Sequence, residues 1–143
     1  GLGAPIGSMA LSTRENIASA RVWRKRYGAG MRQVGILAAA ADYAITHHIS
    51  DLSGDHRRAK ALATAIAQVD SSLIDPTTVA TNIVGLNLKA LGITAAELAV
   101  RTKDAGLLIG ALGPHFARLV THRDFDDAQC DQAIEILRKT LVA

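Results

Sequence analysis

Arg118 is the charged residue of this chain whose surroundings most suggest chemistry. It is the only charge within the run Phe116–Thr121, whose composition predicts a β-strand. Side chains alternate between the two faces of a strand, so Arg118 shares a face with Phe116 and Val120, and this would be the buried face of an ordinary sheet. A buried arginine needs an anionic partner, whereas an arginine on an edge strand is solvated. The residues alone leave both interpretations open.

A second cationic group lies around the glycine-rich loop Gly28–Gly30. Lys25 precedes this loop and Arg32 follows it. The spacing of apolar residues predicts a helix from about Met31 to His48, which places Arg32 in the first helical turn. Backbone N–H groups at a helix N-terminus attract an anion such as a phosphate. An ordinary turn between two helices, with a surface arginine, is the alternative.

Metal and thiol chemistry find little support in the sequence. The chain has five histidines, and none of them follows a recognisable zinc-ligand spacing. His47 and His48 are adjacent, so they point in different directions on a helix. Cys130 is the single cysteine, which excludes an internal disulfide, and it has no basic neighbour that would activate it. We therefore predict no metal site and a reducing compartment, the cytoplasm.

Composition and charge indicate a globular protein that binds neither nucleic acid nor membranes. Apolar residues make up 49% and charged residues 20% of the chain, which is ordinary for a soluble domain. The net charge of +3 is modest, and the aromatic share of 3% leaves few rings for base stacking. No apolar run approaches the length of a membrane span, and no signal peptide is recognisable. Because the chain starts with Gly-Leu-Gly and lacks an initiator methionine, we expect it to be one piece of a longer chain.

Three helices are predicted in the first half of the chain. Ser12–Glu15 has the pattern of a capping box, so the first helix should begin near Thr13 and end near Gly28. The second is the helix predicted after the glycine-rich loop. Either Ser50 or Asp51 should cap the third helix, which continues to about Val69.

Shorter elements follow the turn signal Asp75-Pro76. Strands are predicted over Val79–Leu88, Leu107–Ile109 and Phe116–Thr121. Helices are predicted from a Thr94–Glu97 capping box to Gly106, and from a cap at Asp126 to Leu141. The order is α-α-α-β-α-β-β-α, in which the last five elements form a small α+β unit with helices packed on one face of the sheet. The first three helices are expected to lie outside that unit.

Several short motifs follow one another along the chain in an informative order. They are Gly-Leu-Gly-Ala-Pro-Ile-Gly-Ser at 1–8, Trp-Arg-Lys at 23–25, Gly-Ala-Gly-Met-Arg-Gln at 28–33, Gly-Ile-Leu-Ala-Ala-Ala at 35–40, Asp-His at 55–56, Thr-Asn-Ile at 81–83 and Arg-Leu-Val-Thr-His at 118–122. Together they resemble the low-specificity L-threonine aldolases, enzymes that depend on pyridoxal 5'-phosphate (PLP). The similarity covers the whole chain, is most specific from 23 to 40, and is looser at 70–80 and 89–105.

This resemblance implies an α+β C-terminal portion of a fold type I PLP enzyme. Residues 1–50 would hold the end of the large PLP-binding domain and the connecting helices, and residues 51–143 the small C-terminal domain. The family's Schiff-base lysine is expected immediately before Gly1, which leaves no catalytic residue in this chain. Arg118 matches the carboxylate-binding arginine of the family. Arg32 and Lys25 match residues that approach the PLP phosphate from a neighbouring subunit.

The activity that the resemblance implies is cleavage of L-threonine or L-allo-threonine to glycine and acetaldehyde. Its partners would be the amino acid substrate, the N-terminal half of the same enzyme, and further subunits of a homodimer or homotetramer. One alternative within PLP chemistry is another β-hydroxy amino acid lyase, a β-eliminating lyase or a racemase. Another is a stand-alone α+β binding module without catalysis. The motifs do not separate these possibilities.

Overall fold

The protein forms five α-helices and three β-strands over residues 1–142, the part of the chain that the computed structural model describes. Their order along the chain is the predicted one. The bounds are α1 Arg14–Arg26, α2 Gly35–His48, α3 Leu52–Val69, β1 Ile83–Asn87, α4 Ala95–Asp104, β2 Gly110–Gly113, β3 Phe116–Val120 and α5 Asp127–Val142. Two compact units divide the chain: Leu2–Ile49, and Gly1 together with Ser50–Ala143.

The smaller unit contains α1 and α2, and both helices begin later than predicted. Thr13 caps α1, because its Oγ1 accepts a hydrogen bond from the backbone N–H of Asn16 at 3.3 Å. The predicted capping box from Ser12 to Glu15 is therefore wrong by one residue. No residue of α1 is buried, and Ala44 is the buried residue of α2. Within residues 1–142, the two helices of this unit therefore bury almost no side chains in a core of their own.

The start of α2 corrects the expectation for the glycine-rich loop. The helix begins at Gly35, after Gln33 adopts a left-handed backbone with φ of 50°. Val34 takes the N-cap position without a side-chain hydrogen bond to the helix. A left-handed residue cannot continue a right-handed helix, so the chain turns at Gln33 first. Arg32 consequently lies in the loop before α2, and its predicted place in the first helical turn is wrong.

The larger unit is built on a three-stranded antiparallel sheet in the order β1-β3-β2. Strand β1 is shorter than predicted, because the backbone N–H of Val79 instead closes a 3₁₀ turn on the carbonyl of Pro76. Strand β2 begins after the predicted segment, because the N–H of Leu107 donates to the carbonyl of Thr102 at 2.8 Å. That bond belongs to the C-terminal cap of α4, where Gly106 has a φ of 95°. Backbone groups used in these caps are not free for the sheet.

One face of the sheet forms the core together with three helices. The buried residues of β1 and β3 are Val84, Leu86, Ala117 and Leu119. They form one cluster with buried side chains from the helices, namely Ala59, Leu62, Ala63 and Ile66 of α3, Ala95 and Leu98 of α4, and Cys130, Ala133, Leu137 and Leu141 of α5. Each fully buried leucine contributes about 1.5–3 kcal/mol to folding. Helix α3 therefore belongs to this unit, and the expectation that all three early helices lie outside it is wrong.

Helix caps hold two of these helices in place, as predicted. The Thr94 Oγ1 accepts the N–H of Glu97 at 3.2 Å, and the Glu97 carboxylate accepts the N–H of Thr94 at 2.6 Å. Asp126 accepts the N–H of Gln129 at 2.8 Å at the start of α5. Helix α3 differs, since Asp51 stands at its N-cap but makes no capping bond.

None of the helices among residues 1–142 is both long enough and apolar enough to cross a membrane.

Candidate functional site

The second face of the sheet carries Arg118 and is open to solvent. Strand β3 alternates between exposed and buried residues, with Ala117 and Leu119 buried and Arg118 exposed between them. Of the two settings that the sequence left open for Arg118, the structure shows the exposed one, although β3 is the central strand and not an edge strand. The apolar neighbours pack against the helices, while burial of a guanidinium there would carry a large desolvation penalty. Phe116 and Val120 share the open face and remain 46% and 45% exposed.

The strand order places Arg118 at the centre of this face between two glycines. Strand β3 is the middle strand, and Arg118 is paired with Gly85 of β1 and Gly110 of β2. Residues directly opposite one another in an antiparallel pair present their side chains on the same face. Neither flank of Arg118 therefore carries a side chain from its paired residue. Glycine inside a strand is unfavourable in itself and often marks a place where another group approaches closely.

The two glycine flanks differ in the space that they leave. A Cβ added at Gly85 would lie 2.9 Å from Cζ and 3.1 Å from Cε2 of Phe116, which is closer than carbon atoms pack. The Phe116 ring therefore fills the space above Gly85. A Cβ added at Gly110 would meet the backbone oxygen of Arg118 at 3.5 Å, an ordinary contact. The position paired with Arg118 on β1 is thus covered by an aromatic ring.

Arg118 has a free guanidinium within the described part of the chain. None of the ion pairs or side-chain hydrogen bonds among residues 1–142 involves Arg118. Other arginines of the same unit are paired, for example Arg138 with Glu135 at 2.9 Å. A planar guanidinium that points away from the core and lacks an internal anion suits a planar carboxylate bound in two-pronged fashion. The site residue predicted from the sequence is therefore placed where a small anionic ligand can reach it.

Lys25 and Arg32 both lie in the smaller unit. Lys25 is in the last turn of α1, and its side chain extends over the glycine-rich loop. A Cβ added at Gly30 would lie 2.9 Å from Cδ and 3.3 Å from Nζ of Lys25, so the bare glycine makes room for this side chain. Neither Lys25 nor Arg32 forms an ion pair with any of residues 1–142. Each is therefore a cation without a carboxylate partner in that part of the chain, and cationic N–H donors of this kind can bind a phosphate group.

The structure also contains a charged cluster that the sequence did not reveal. Asp55 is 1% exposed, its Oδ1 accepts a hydrogen bond from Arg58 at 3.3 Å, and its Oδ2 has no hydrogen-bond partner among residues 1–142. Arg58 also donates to Asp127 at 2.6 Å, and Arg57 donates to the same carboxylate at 2.9 Å. Hydrogen bonds from Arg58, then from Arg57, lower the pKa of Asp127. This cluster links α3 to the start of α5. It was not visible in the sequence, because the paired charges lie about 70 residues apart in the chain and meet only in the folded structure.

Gly85 and Gly110 are the site residues that the sequence analysis missed. Each stands in a short β-strand whose other residues are mostly apolar, and such a glycine is a recognisable signal of close backbone approach. The register that brings both of them beside Arg118 is a long-range property of the sheet. It could not be read from one segment alone.

Cys130 and the histidines form no reactive centre in the described residues. Burial raises the pKa of the Cys130 thiol, and its Sγ lies 3.8 Å from the carbonyl oxygen of Arg58. A thiol with a raised pKa carries little thiolate at neutral pH and is a poor nucleophile. Across residues 1–142, no three His, Cys, Asp or Glu side chains come together in a way that could hold a metal ion.

Comparison with known proteins places these features in a family context. The sequence profile described as beta-eliminating lyase matches residues 1–89. A "Probable low-specificity L-threonine aldolase 2" of Arabidopsis thaliana is 31% identical over 97% of this chain and 39% of its own length. The "Low specificity L-threonine aldolase" of Escherichia coli (strain K12) is 36% identical over 90% of this chain and 37% of its own length. The "Alanine racemase TOXG" of Cochliobolus carbonum is 29% identical over 99% of this chain and 37% of its own length.

These matches confirm the resemblance to threonine aldolases that the motifs indicated. The chain spans roughly two fifths of the length of these relatives, 39% of the first and 37% of the other two.

Proposed function

Because this chain belongs to the beta-eliminating lyase family, we propose that it forms part of a PLP-dependent carbon–carbon lyase that cleaves L-threonine or L-allo-threonine to glycine and acetaldehyde. The observation that carries this proposal is the guanidinium of Arg118, which has no ion-pair partner among residues 1–142 and lies at the centre of an open sheet face, between Gly85 and Gly110. An amino acid substrate offers the carboxylate that this group lacks. The similarity to proteins named threonine aldolases supports the choice of substrate.

The proposal also assigns residues of this chain to the cofactor. Lys25 and Arg32 would hold the PLP phosphate, since both are cationic and neither has an internal carboxylate partner among residues 1–142. The Schiff-base lysine is proposed to come directly before Gly1. When bound, PLP supplies an electron sink for the pair of electrons left at the substrate Cα as the Cα–Cβ bond breaks.

The role of Arg118 in this reaction is to bind and orient the substrate. Its planar fork of N–H donors accommodates both oxygens of the α-carboxylate. A carboxylate held at both oxygens cannot rotate freely, so the remaining bonds at Cα keep a defined direction relative to the cofactor. Correct orientation of the scissile bond lowers the barrier beyond what binding alone achieves. Arg118 therefore acts on kcat as well as on KM.

The proposal extends to the architecture and assembly of the enzyme. We assign residues 1–50 to the end of a fold type I PLP domain with its connecting helices, and residues 51–143 to the small domain. Exposed apolar side chains in the smaller unit, including Trp23 at 49% and Tyr43 at 59%, support a subunit contact there. A homodimer or homotetramer would bring Lys25 and Arg32 to the site of a neighbouring subunit. We propose the cytoplasm as its location.

The test is steady-state cleavage of threonine by the PLP-loaded enzyme carrying Arg118→Ala. Removing a charge-assisted, two-pronged contact should lower kcat/KM by about 100-fold or more. PLP content, measured by absorbance, should stay normal, because the phosphate and lysine contacts lie elsewhere. Arg118→Lys should recover only part of the activity, since an ammonium group cannot reproduce the planar fork.

The matched control is Arg138→Ala, which removes an exposed arginine on α5 that is paired with Glu135. It should leave kcat/KM within about twofold of the wild type, as surface substitutions away from a site usually do. A near-normal kcat/KM in Arg118→Ala would show that Arg118 does not bind the substrate, and it would refute the proposal.

A second candidate is a related PLP reaction, because one relative is named an alanine racemase. The carboxylate role of Arg118 would be the same, so the substrate assay must discriminate between the two. Incubation with L-alanine, followed by circular dichroism, detects racemisation. Release of acetaldehyde from threonine, followed with alcohol dehydrogenase, detects the aldolase reaction.

A further inference from the structure

We propose that Phe116, held in place by Gly85, is a positioning residue for the carboxylate site at Arg118. This inference rests on the proposed function, because it assigns a role beside the carboxylate that Arg118 binds. It adds a residue pair that determines how tightly and how specifically that carboxylate is held.

The register of the sheet shows where the Phe116 ring lies. Phe116 is paired with Asn87, and Arg118 is paired with Gly85. The ring nevertheless lies over Gly85, where an added Cβ would be 2.9 Å from its Cζ. The ring thus leaves its own register row and crosses diagonally into the row of Arg118. Such diagonal reach is open to aromatic side chains in antiparallel sheets.

The position of the ring has a physical consequence for an ion pair at Arg118. An apolar ring over Gly85, the residue paired with Arg118, would keep water away from one side of a carboxylate bound there, and a charge-assisted hydrogen bond strengthens as the local dielectric constant falls. Phe116 is still 46% exposed, so part of its ring surface stays available to a substrate bound at Arg118. On the opposite side, no side chain of residues 1–142 lies over Gly110, so a substrate can approach Arg118 from there.

The absence of a side chain at Gly85 is what permits this arrangement. Gly85 has no positive φ that would demand glycine, so its conformation alone does not explain the residue. The reason is steric: a Cβ at this position would overlap the tip of the ring, so the ring would have to shift from its place over Gly85. Gly113 provides a comparison, because a Cβ there would meet Cβ of Phe116 at an ordinary 3.8 Å.

The experiment measures the affinity of the PLP-loaded enzyme for free glycine, followed as a change in cofactor absorbance. Gly85→Ala should raise the Kd for glycine about tenfold, the consequence expected of a steric overlap that displaces the ring. Gly113→Ala is the matched control, since it adds the same methyl group beside Phe116 without overlap. Its glycine Kd should stay within about twofold of the wild type.

A double substitution shows whether Gly85 acts through the ring. Phe116→Leu removes the aromatic wall and should itself weaken glycine binding. Adding Gly85→Ala to Phe116→Leu should cause little further loss, because leucine is too short to meet the new methyl group. Strong non-additivity of this kind identifies two residues that act together. The urea midpoint of each variant, recorded in parallel, measures any general loss of stability.

The outcomes separate this inference from the proposal on which it rests. If Arg118→Ala loses glycine binding while Gly85→Ala and Phe116→Leu bind normally, the positioning role is overturned and the carboxylate site stands. If Gly85→Ala and Gly113→Ala weaken binding equally, the effect is general disruption of the sheet, and the positioning role is again overturned. Normal glycine binding in Arg118→Ala refutes the carboxylate site itself, and the role of Phe116 with it.

Discussion

The strongest test of the fold compares the two faces of strand β1. Leu86 is fully buried against the helices, whereas Ile83 on the same strand is 47% exposed on the open face. Leu86→Ala removes Cγ, Cδ1 and Cδ2, which are worth about 2.4 kcal/mol in transfer free energy. The cavity left behind adds to this loss, so we expect a decrease of about 3 kcal/mol in the free energy of unfolding.

Ile83→Ala removes a side chain that is already half in water. Its transfer loss should therefore be about 1 kcal/mol, with no cavity to add. Urea denaturation of this chain, followed by circular dichroism at 222 nm, measures both variants. With an m-value of about 1.5 kcal/mol/M, the midpoint should fall by about 2 M for Leu86→Ala and by less than about 0.7 M for Ile83→Ala.

The comparison can refute the assignment of the faces. Equal losses in the two variants would mean that the sheet is covered on both sides in this chain. A larger loss for Ile83→Ala would mean that the face carrying Arg118 is the core face, which is the other of the two settings that the sequence left open. Either result would contradict an open surface at the proposed carboxylate site.

Two further predictions concern the helices that support the sheet. Thr94→Ala removes the cap of α4 and should lower the free energy of unfolding by about 1 kcal/mol. Thr77→Ala, in an exposed turn, is the control and should lower it clearly less. Equal losses in the two variants would show that the cap does not stabilise α4. Hydrogen bonds from Arg58 and Arg57 lower the pKa of Asp127, so its contribution to stability is present above the ordinary aspartate pKa and is lost as pH falls through the lowered value. The urea midpoint of Asp127→Asn should therefore lie below that of the wild type at about pH 6, and the two midpoints should converge towards about pH 2. A difference between the midpoints that stays constant across this pH range would contradict the link between the Asp127 pKa and stability.

Local signals in the sequence correctly predicted the caps of α4 and α5, but not those of α1 and α3. The capping box from Thr94 to Glu97 and the cap at Asp126 are realised because donor and acceptor lie three residues apart. Strand ends were predicted less well. Val79 and Leu107 have strand-like side chains, but their N–H groups are used by the turn and the helix cap beside them. Competition for backbone hydrogen bonds is decided by geometry that composition does not contain.

The candidate site shows the same division. The unusual setting of Arg118 and the cationic character of Lys25 and Arg32 were visible in the sequence, and the family resemblance suggested their roles. The helix start that would have placed Arg32 in a first turn was wrong, because Gln33 turns the chain in a left-handed conformation. Periodicity of apolar residues does not reveal a single residue of that kind.

What the sequence determined by itself is the order of the elements and the alternation that separates Arg118 from Ala117 and Leu119. A period of two assigns residues to two faces but does not say which face meets the helices. Only the tertiary structure decided that question: the three helices cover the uncharged face with Ala117 and Leu119, and the face of Arg118 stays exposed although it also carries apolar side chains. The same packing fixed the register that sets Gly85 and Gly110 on either side of Arg118. Strand pairing joins residues far apart in the chain, and its free energy comes from the core as a whole rather than from any one segment.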